Sequence, residues 1–91
     1  MLHIIKTVSA LESAVAMFSE QDDILLMEDA VYAANPQHPA FHHVKNATVF
    51  ALESDIQARG MGNRISPSVT IVSYTGFVNL TVKQEKSLTW D

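Results

Sequence analysis

Apolar runs that suit β-strands alternate with helical patterns about every twenty residues along this chain. The strand-like runs are 2–6, 24–27, 47–52 and 69–73, with a shorter one at 88–90, and the helical patterns are 10–20, 30–34 and 54–60. This alternation predicts βαβ units on a parallel sheet, and right-handed crossovers then place helices on both of its faces. We therefore predict a single domain over residues 1–91 with an α/β fold. Its architecture is a small doubly wound, three-layer sandwich around a mainly parallel sheet of four to five strands.

Local patterns predict where the helices begin and end. Ser9-Ala-Leu-Glu12 and Ser54-Asp-Ile-Gln57 both fit the capping box, in which a hydroxyl and a longer polar side chain satisfy free N–H groups. Gly60 is expected to end the second of these helices, because glycine tolerates a left-handed cap. Residues 74–84 fit both strand alternation and helical spacing, so the residues alone leave this segment open between the two.

The composition excludes several classes of function. The chain has no cysteine, which excludes a thiol nucleophile, a persulfide carrier, a disulfide and a cysteine zinc site. The net charge is −4 and no window clusters Lys or Arg, which disfavours direct binding of nucleic acid. No apolar run is long enough to span a membrane, and the N-terminus has no secretory pattern. We therefore expect a cytoplasmic protein.

The balance of charged and apolar residues favours association with a partner. Charged residues make up 18% of the chain, below the typical ~25%, while hydrophobic residues make up 47%. Apolar surface is then expected to remain after the core is built, as in an oligomer or a subunit. The alternative is an ordinary monomer with a neutral surface.

Acidic residues follow two of the predicted strands. Glu28 and Asp29 lie at the carboxyl end of the second strand, where open α/β sheets bind ligands, so the pair is a candidate acid and base. The competing interpretation is that both residues cap the next helix through its dipole. Ser54 and Asp55 stand in the equivalent place after the third strand, with the same two interpretations.

Histidines and hydroxyls give weaker candidates. His38, His42 and His43 suggest a metal site, but a solvated loop cluster is the better interpretation, because Pro39 limits the helix around His38 and no cysteine supplies a third ligand. His3 lies in a predicted buried strand, which favours a hydrogen-bonded core histidine. The first strand-to-helix loop, Thr7-Val-Ser9, lacks the glycines of a nucleotide-binding loop, but its hydroxyls are able to hold an anion at a helix N-terminus.

Four stretches in series resemble the TusB/DsrH family of sulfur-relay subunits. They are the start Met1-Leu-His3, the segment 25–34 (Leu-Leu-Met-Glu-Asp-Ala-Val-Tyr-Ala-Ala), the segment 51–60 (Ala-Leu-x-x-Asp-x-x-Ala-Arg-Gly), and the segment 74–82 followed by Trp90. Two positions depart from the family pattern. Ala30 stands where a glycine is common, so a positive φ is costly there. Gln84 stands where a histidine is expected.

The resemblance implies a DsrEFH-like fold in which 74–84 is helical. It implies a non-catalytic subunit of a sulfurtransferase complex that relays persulfide sulfur for 2-thiolation of the tRNA wobble uridine, or for related sulfur oxidation. The partners are then two homologous small α/β subunits, TusC/DsrF-like and TusD/DsrE-like, in a heterohexamer. A sister subunit carries sulfur on a cysteine after its third strand, where this chain has Leu52-Glu-Ser-Asp55. The resemblance implies no cofactor, metal or catalytic residue in this chain.

Six residues are candidates for a strand-end site or an interface: Asp29, Tyr32, Asp55, Arg59, Phe77 and Trp90. The three aromatic residues are candidate interface anchors, with burial in the core as the alternative. Arg59 lies one helical turn after Asp55, so the two are expected to pair.

A homo-oligomer is an open possibility for the isolated chain. A different hypothesis is an independent homo-oligomeric module that binds a small anion through Thr7, Ser9 and Asp29. A third is a hydrolase that uses Glu28, Asp29 or Asp55.

Overall fold

The computed structural model describes residues 1–91 as five parallel strands with helices on both sides of the sheet. The strands are β1 Leu2–Ile5, β2 Asp23–Leu26, β3 Thr48–Leu52, β4 Val69–Val72 and β5 Ser87–Trp90. The α-helices are α1 Val8–Ala14, α2 Glu53–Ala58 and α3 Tyr74–Lys83, and 3-10 helices occupy Val15–Met17, Glu28–Ala34 and Pro39–His43. None of these helices has the length and apolar character needed to cross a membrane. The predicted doubly wound α/β fold is confirmed.

The order of the strands explains which face each helix covers. The sheet runs β4-β3-β2-β1-β5, so the first three crossovers all step in one direction and the last returns past three strands, β3, β2 and β1. Right-handed crossovers in one direction place their helices on one face, and the reversal places α3 on the other. The point where the order reverses lies beside β1, which pairs with β2 through Leu2 and Asp23 and with β5 through Leu2 and Ser87.

The helix-rich face of the sheet carries most of the core. Alternating strand residues point to this face, among them Ile5, Leu26 and Ala51, because successive side chains of a strand point to opposite sides. They pack against α1, α2 and the two longer 3-10 helices in one cluster of 17 buried residues. Leu11 in α1 and Ile56 in α2 are almost completely buried within it. This face therefore supplies most of the hydrophobic stabilisation of the fold.

The thin face of the sheet has only α3 as its second layer. Its buried cluster consists of Leu2, Ile4 and Leu25, with Phe77 and Leu80 of α3 packed over them. No residue of α3 is fully buried. A single ten-residue helix therefore covers this face of a five-stranded sheet.

The helical assignment that the family resemblance implies for 74–84 is confirmed by α3. The Ser73 side chain caps this helix by accepting from the Gly76 N–H. At the position where the family pattern has a histidine, Gln84 donates from Nε2 to Asp23 Oδ2 at 2.7 Å. This side chain therefore ties the end of α3 to the start of β2.

Both predicted capping boxes are wrong. The cap of α1 is Thr7, whose Oγ1 accepts from the Ala10 N–H at 3.0 Å, so the helix begins two residues earlier than Ser9 implied. The pattern over 10–20 is divided into α1 and the 3-10 helix Val15–Met17. Helix α2 begins after Leu52 with no side-chain cap, so Ser54 lies within the helix. The predicted left-handed end at Gly60 is confirmed, with φ at +64° and its N–H donating to the Gln57 carbonyl.

Candidate functional site

The carboxyl ends of β2 and β3 bring three of the predicted site residues together. Asp29 follows β2, and Asp55 and Arg59 belong to α2 and its end. The Arg59 guanidinium donates from Nε and Nη2 to Asp29 Oδ1, at 3.0 and 2.8 Å. Its Nη1 donates to the Asp55 carbonyl at 3.1 Å and lies 3.6 Å from Asp55 Oδ1. The Asp55–Arg59 pairing predicted from the spacing is present, and Asp29 joins it through the tertiary fold.

The ion pairs keep Arg59 charged. The hydrogen bonds from its guanidinium to Asp29 raise the pKa of Arg59 above its usual value, with partial desolvation acting in the opposite direction. The side chain of Arg59 is mostly covered, whereas Asp29 is exposed. Because a guanidinium is already cationic at any physiological pH, this cluster acts as a fixed clamp between the 3-10 helix Glu28–Ala34 and α2.

Glu28 adopts the left-handed conformation, with φ at +50°. Its N–H donates to Asp55 Oδ2 at 2.7 Å, and its carboxylate lies 3.7 Å from the Lys6 ammonium. Ala30, which stands where the family commonly has glycine, has no positive φ and is buried in the core; the positive φ of this turn is at Glu28. A non-glycine residue with positive φ is strained, and the bond to Asp55 helps to hold it there.

The two proposed roles of Glu28 and Asp29 fit their geometry unequally. Both residues lie in the first turn of the 3-10 helix Glu28–Ala34, where a carboxylate interacts favourably with the helix dipole, although the N-cap is Met27 and no side-chain cap hydrogen bond forms. For acid–base chemistry a substrate would need room beside the carboxylates, yet no cavity of the structure is lined by Glu28, Asp29 or Asp55. The cluster is built as a clamp between two strand ends, and nothing in its geometry favours a hydrolase.

The hydroxyls proposed to hold an anion are engaged within the chain. Thr7 Oγ1 accepts the Ala10 N–H as the cap of α1 and lies 3.4 Å from Ser9 Oγ. Asp29, the third member of that proposed site, is paired with Arg59. These three residues therefore do not form an open anion site at the strand ends.

The histidines of 38–43 have local roles. His38 Nδ1 accepts the Ala40 N–H at 3.1 Å and so caps the 3-10 helix Pro39–His43. His42 contacts the Pro39 carbonyl, and its ring lies against that of His43 at 3.9 Å between centroids. No three His, Asp or Glu side chains of the chain come together in the arrangement that a metal ion needs.

His3 forms the centre of a buried hydrogen-bond chain, as its position in β1 predicted. The indole N–H of Trp90 donates to His3 Nδ1 at 3.1 Å, and His3 Nε2 lies 2.9 Å from Asp22 Oδ2. Because an indole nitrogen only donates, His3 must accept at Nδ1 and donate from Nε2 to the carboxylate. The bond from His3, followed by the backbone N–H of Ser19, holds the pKa of Asp22 well below its usual value. The hydrogen bonds from Trp90 to His3 and from His3 to Asp22 therefore join β5 to β1 and to the turn before β2.

The three predicted aromatic anchors are partly covered by their own chain. Trp90 packs against the helix-rich core, Phe77 packs over the thin-face cluster, and Tyr32 is 38% exposed and stacks on His38. The most exposed apolar side chains of α3 are instead Tyr74 at 71%, Val78 at 38% and Val82 at 80%. Their spacing of four residues places them on one side of the helix, so we call them the α3 stripe. Sequence reasoning missed the stripe because it left 74–84 undecided between strand and helix.

Comparison with known proteins supports the family resemblance by sequence and the α/β fold by structure. Residues 6–87 match the family model described as DsrH like protein. The chain is 38% identical over 82 residues to Protein TusB from Yersinia pestis (strain Pestoides F), a match that covers 88% of this chain and 86% of the relative. Protein TusB from Yersinia pseudotuberculosis serotype O:1b (strain IP 31758) matches to the same extent.

Two solved structures share the fold at low sequence identity. The ychN protein from E. coli superposes with a TM-score of 0.73 at 19% identity, over 98% of this chain and 97% of that one. A protein of unknown function from Methanobacterium thermoautotrophicum superposes with a TM-score of 0.65 at 15% identity, over 97% and 95% of the two chains. These likenesses establish the fold, and the sequence matches establish the relationship: the chain belongs to the TusB/DsrH family.

Proposed function

We propose that this chain is a non-catalytic subunit of a sulfurtransferase complex in the cytoplasm, which relays persulfide sulfur for 2-thiolation of the tRNA wobble uridine. Membership of the TusB/DsrH family supports the sulfur-relay pathway. The proposed partners are two homologous small α/β subunits, TusC/DsrF-like and TusD/DsrE-like, in a heterohexamer. The net charge of −4 leaves contact with tRNA to another subunit or to a later protein of the relay.

The absence of cysteine assigns the sulfur-carrying step to a sister subunit. A persulfide is a sulfur–sulfur bond, so a hydroxyl or carboxylate oxygen cannot hold it. After β3, where the sister subunit carries its cysteine, this chain has Glu53, Ser54 and Asp55. Asp55 is occupied by the Glu28 N–H and by Arg59. This strand end therefore serves as a rigid support in our proposal and takes no part in the transfer.

The α3 stripe is the observation that carries the subunit role. A face covered by one helix leaves Tyr74, Val78 and Val82 in water, and the only charged residue of that helix is Lys83. Exposed apolar residues in a contiguous row mark interaction surfaces, and charged residues are depleted at the centre of such surfaces. We propose that the stripe packs against an apolar helix face of one homologous subunit, which completes the second layer over this sheet.

Purification of the tagged chain from its native host tests the subunit role directly. We expect the wild-type chain to recover two small α/β subunits, one with a cysteine after its third strand. Val82→Asp places an unpaired charge in the stripe and should reduce that recovery by about tenfold or more, with lower 2-thiouridine in tRNA. Met17→Asp changes another exposed apolar residue, at 64% exposure against 80% for Val82, in the 3-10 helix Val15–Met17 and is the matched control.

Three outcomes of this experiment contradict the proposal at different levels. Recovery of the wild-type chain without homologous subunits would remove the assembly. Equal recovery with Val82→Asp would remove the α3 stripe as the contact. Unchanged 2-thiouridine in a strain that lacks the gene would remove the tRNA pathway and leave related sulfur oxidation as the role of an assembled complex.

A further inference from the structure

The largest surface cavity of the structure is a polar groove of about 520 Å³ that is lined by no residue of the α3 stripe. We call it the amide groove. It lies between the end of the 3-10 helix Glu28–Ala34 and the loop that leads into β4. Six residues line it: Asn35, Pro36, Gln37, Asn63, Arg64 and Ile65. Three amides, one guanidinium and no carboxylate make up its polar lining.

The charge of this groove differs from that of the rest of the chain. Ten acidic residues outnumber six basic ones, and each of the other two cavities is lined by at least one carboxylate. Of the two arginines, Arg59 is held by Asp29 and Asp55, whereas Arg64 forms no ion pair and no side-chain hydrogen bond. Arg64 therefore presents a free guanidinium, whose fork of N–H groups matches two oxygens of a carboxylate or phosphate.

A second donor in the lining is the Asn35 side chain, whose amide orientation is set by a local turn. The Asn35 amide oxygen accepts the backbone N–H of Gln37 at 3.0 Å. Because that N–H only donates, the amide orientation is fixed and its NH₂ group is left free of partners in the chain. Arg64 and Asn35 thus both supply free donors to the lining of the groove.

The two segments that form the groove are fixed to each other and to the core. The Ser66 N–H donates to the Ala34 carbonyl at 2.9 Å, which joins the end of the 3-10 helix to the loop before β4. The Arg64 N–H donates to the carbonyl of Met61, a residue buried in the helix-rich core, and Ile65 packs against the same cluster. The backbone on both sides of the groove is therefore fixed, and the exposed Arg64 side chain extends from an anchored segment.

We propose that the amide groove is a binding site for a small molecule with an oxyanion group, a carboxylate or a phosphate ester, which Arg64 and Asn35 hold by charge-assisted hydrogen bonds. The proposal replaces the strand-end anion site, whose hydroxyls are engaged, and it does not depend on the sulfur-relay role. A single guanidinium and neutral amides suit one anionic group at a time, with the rest of the ligand along Pro36 and Ile65.

Amide chemical shifts of the full chain test the proposal, with inorganic phosphate and acetate as separate probes at constant ionic strength set by chloride. We expect saturable shifts at 35–37 and 63–65 with at least one probe, and the preferred probe identifies the oxyanion class. Arg64→Gln should raise the apparent Kd about tenfold or more, while Lys45→Gln, an exposed lysine outside the groove, should leave it unchanged. Thermal unfolding of both variants verifies that they are folded.

Two results would overturn the proposal. One is the absence of saturable shifts at these positions with both phosphate and acetate. The other is an equal response of Arg64→Gln and the wild-type chain, which would show that the guanidinium does not hold the anion. Either result would leave the sulfur-relay role untouched, since that role is supported by family membership and does not involve the amide groove.

Discussion

The two faces of the sheet are built from the same strands but reach very different degrees of coverage. On the helix-rich face, α1, α2 and the two longer 3-10 helices enclose 17 buried residues, whereas on the thin face α3 covers a cluster of three. Fully buried leucines occur on both sides, with Leu25 and Leu26 on opposite faces, but the strand register also places polar residues such as Asp23, Thr48 and Thr70 on the thin face. The difference therefore comes from the strand residues as well as from the number of helices that the strand order sends to each side. One face is finished within the chain, and the other is suited to being finished by a partner.

Truncation of one leucine in a helix on each face should give the largest loss in the free energy of unfolding. It tests directly whether the two faces of the sheet are packed to different degrees. Leu11→Ala in α1 removes a fully buried side chain and should lower the free energy of unfolding by about 2–5 kcal/mol. Leu80→Ala in α3 removes a half-buried side chain and should cost only about 1–2 kcal/mol. Urea unfolding of the isolated chain measures both. Equal losses would show that the thin face is as well packed as the other.

Loss of the Asp22 carboxylate, which accepts from His3 and Ser19, should lower the free energy of unfolding by a smaller amount that depends on pH. The pKa of Asp22 is lowered in the folded state, so its interactions stabilise the fold above the unfolded value of about 4 and are lost as pH falls below it. Asp22→Asn should therefore cost about 1–2 kcal/mol at pH 7, and its difference from wild type should shrink below pH 4.

Fluorescence of Trp90, the single tryptophan, reports this unfolding at each pH because its indole N–H ends the same hydrogen-bond chain. Asp91→Asn is the control, since Asp91 is exposed and its side chain has no partner in the chain. A pH-independent difference between Asp22→Asn and wild type would show that the bonds to Asp22 do not depend on its charge.

The sequence predicted the strands well because each is a short apolar run bounded by polar residues. The runs at 24–27 and 69–73 lie within one residue of β2 and β4. Helix starts were less predictable, because Thr7 and Ser9 are both able to cap and only the backbone path selects Thr7. Residues 74–84 fit two periods equally, and the tertiary position over Leu2 and Leu25 selects the helix.

The candidate site was predictable only where its contacts are local. The spacing of Asp55 and Arg59 indicated their ion pair, since residues four apart share a helix face. The contact of Arg59 with Asp29 joins two strand ends, and the positive φ of Glu28 depends on the same packing. The α3 stripe became visible only after the helix was assigned. Arg64 had no sequence signal, because its role depends on Asn35 across the fold.

The pairing of β5 with β1 also sets an order for folding. Leu2 and Ser87 are register partners although almost the whole chain lies between them, whereas β1 to β4 are joined by successive short βαβ units. Distant contacts form late because the entropy of loop closure must be overcome before any contact rewards it. We expect the helix-rich layer to form first, so pulse-labelled hydrogen exchange during refolding should protect β2 and β3 before β5. Protection of β5 together with β2 would contradict this order. Helix α3, which covers the thin face, leads directly into β5, so we expect this face to be completed late in folding.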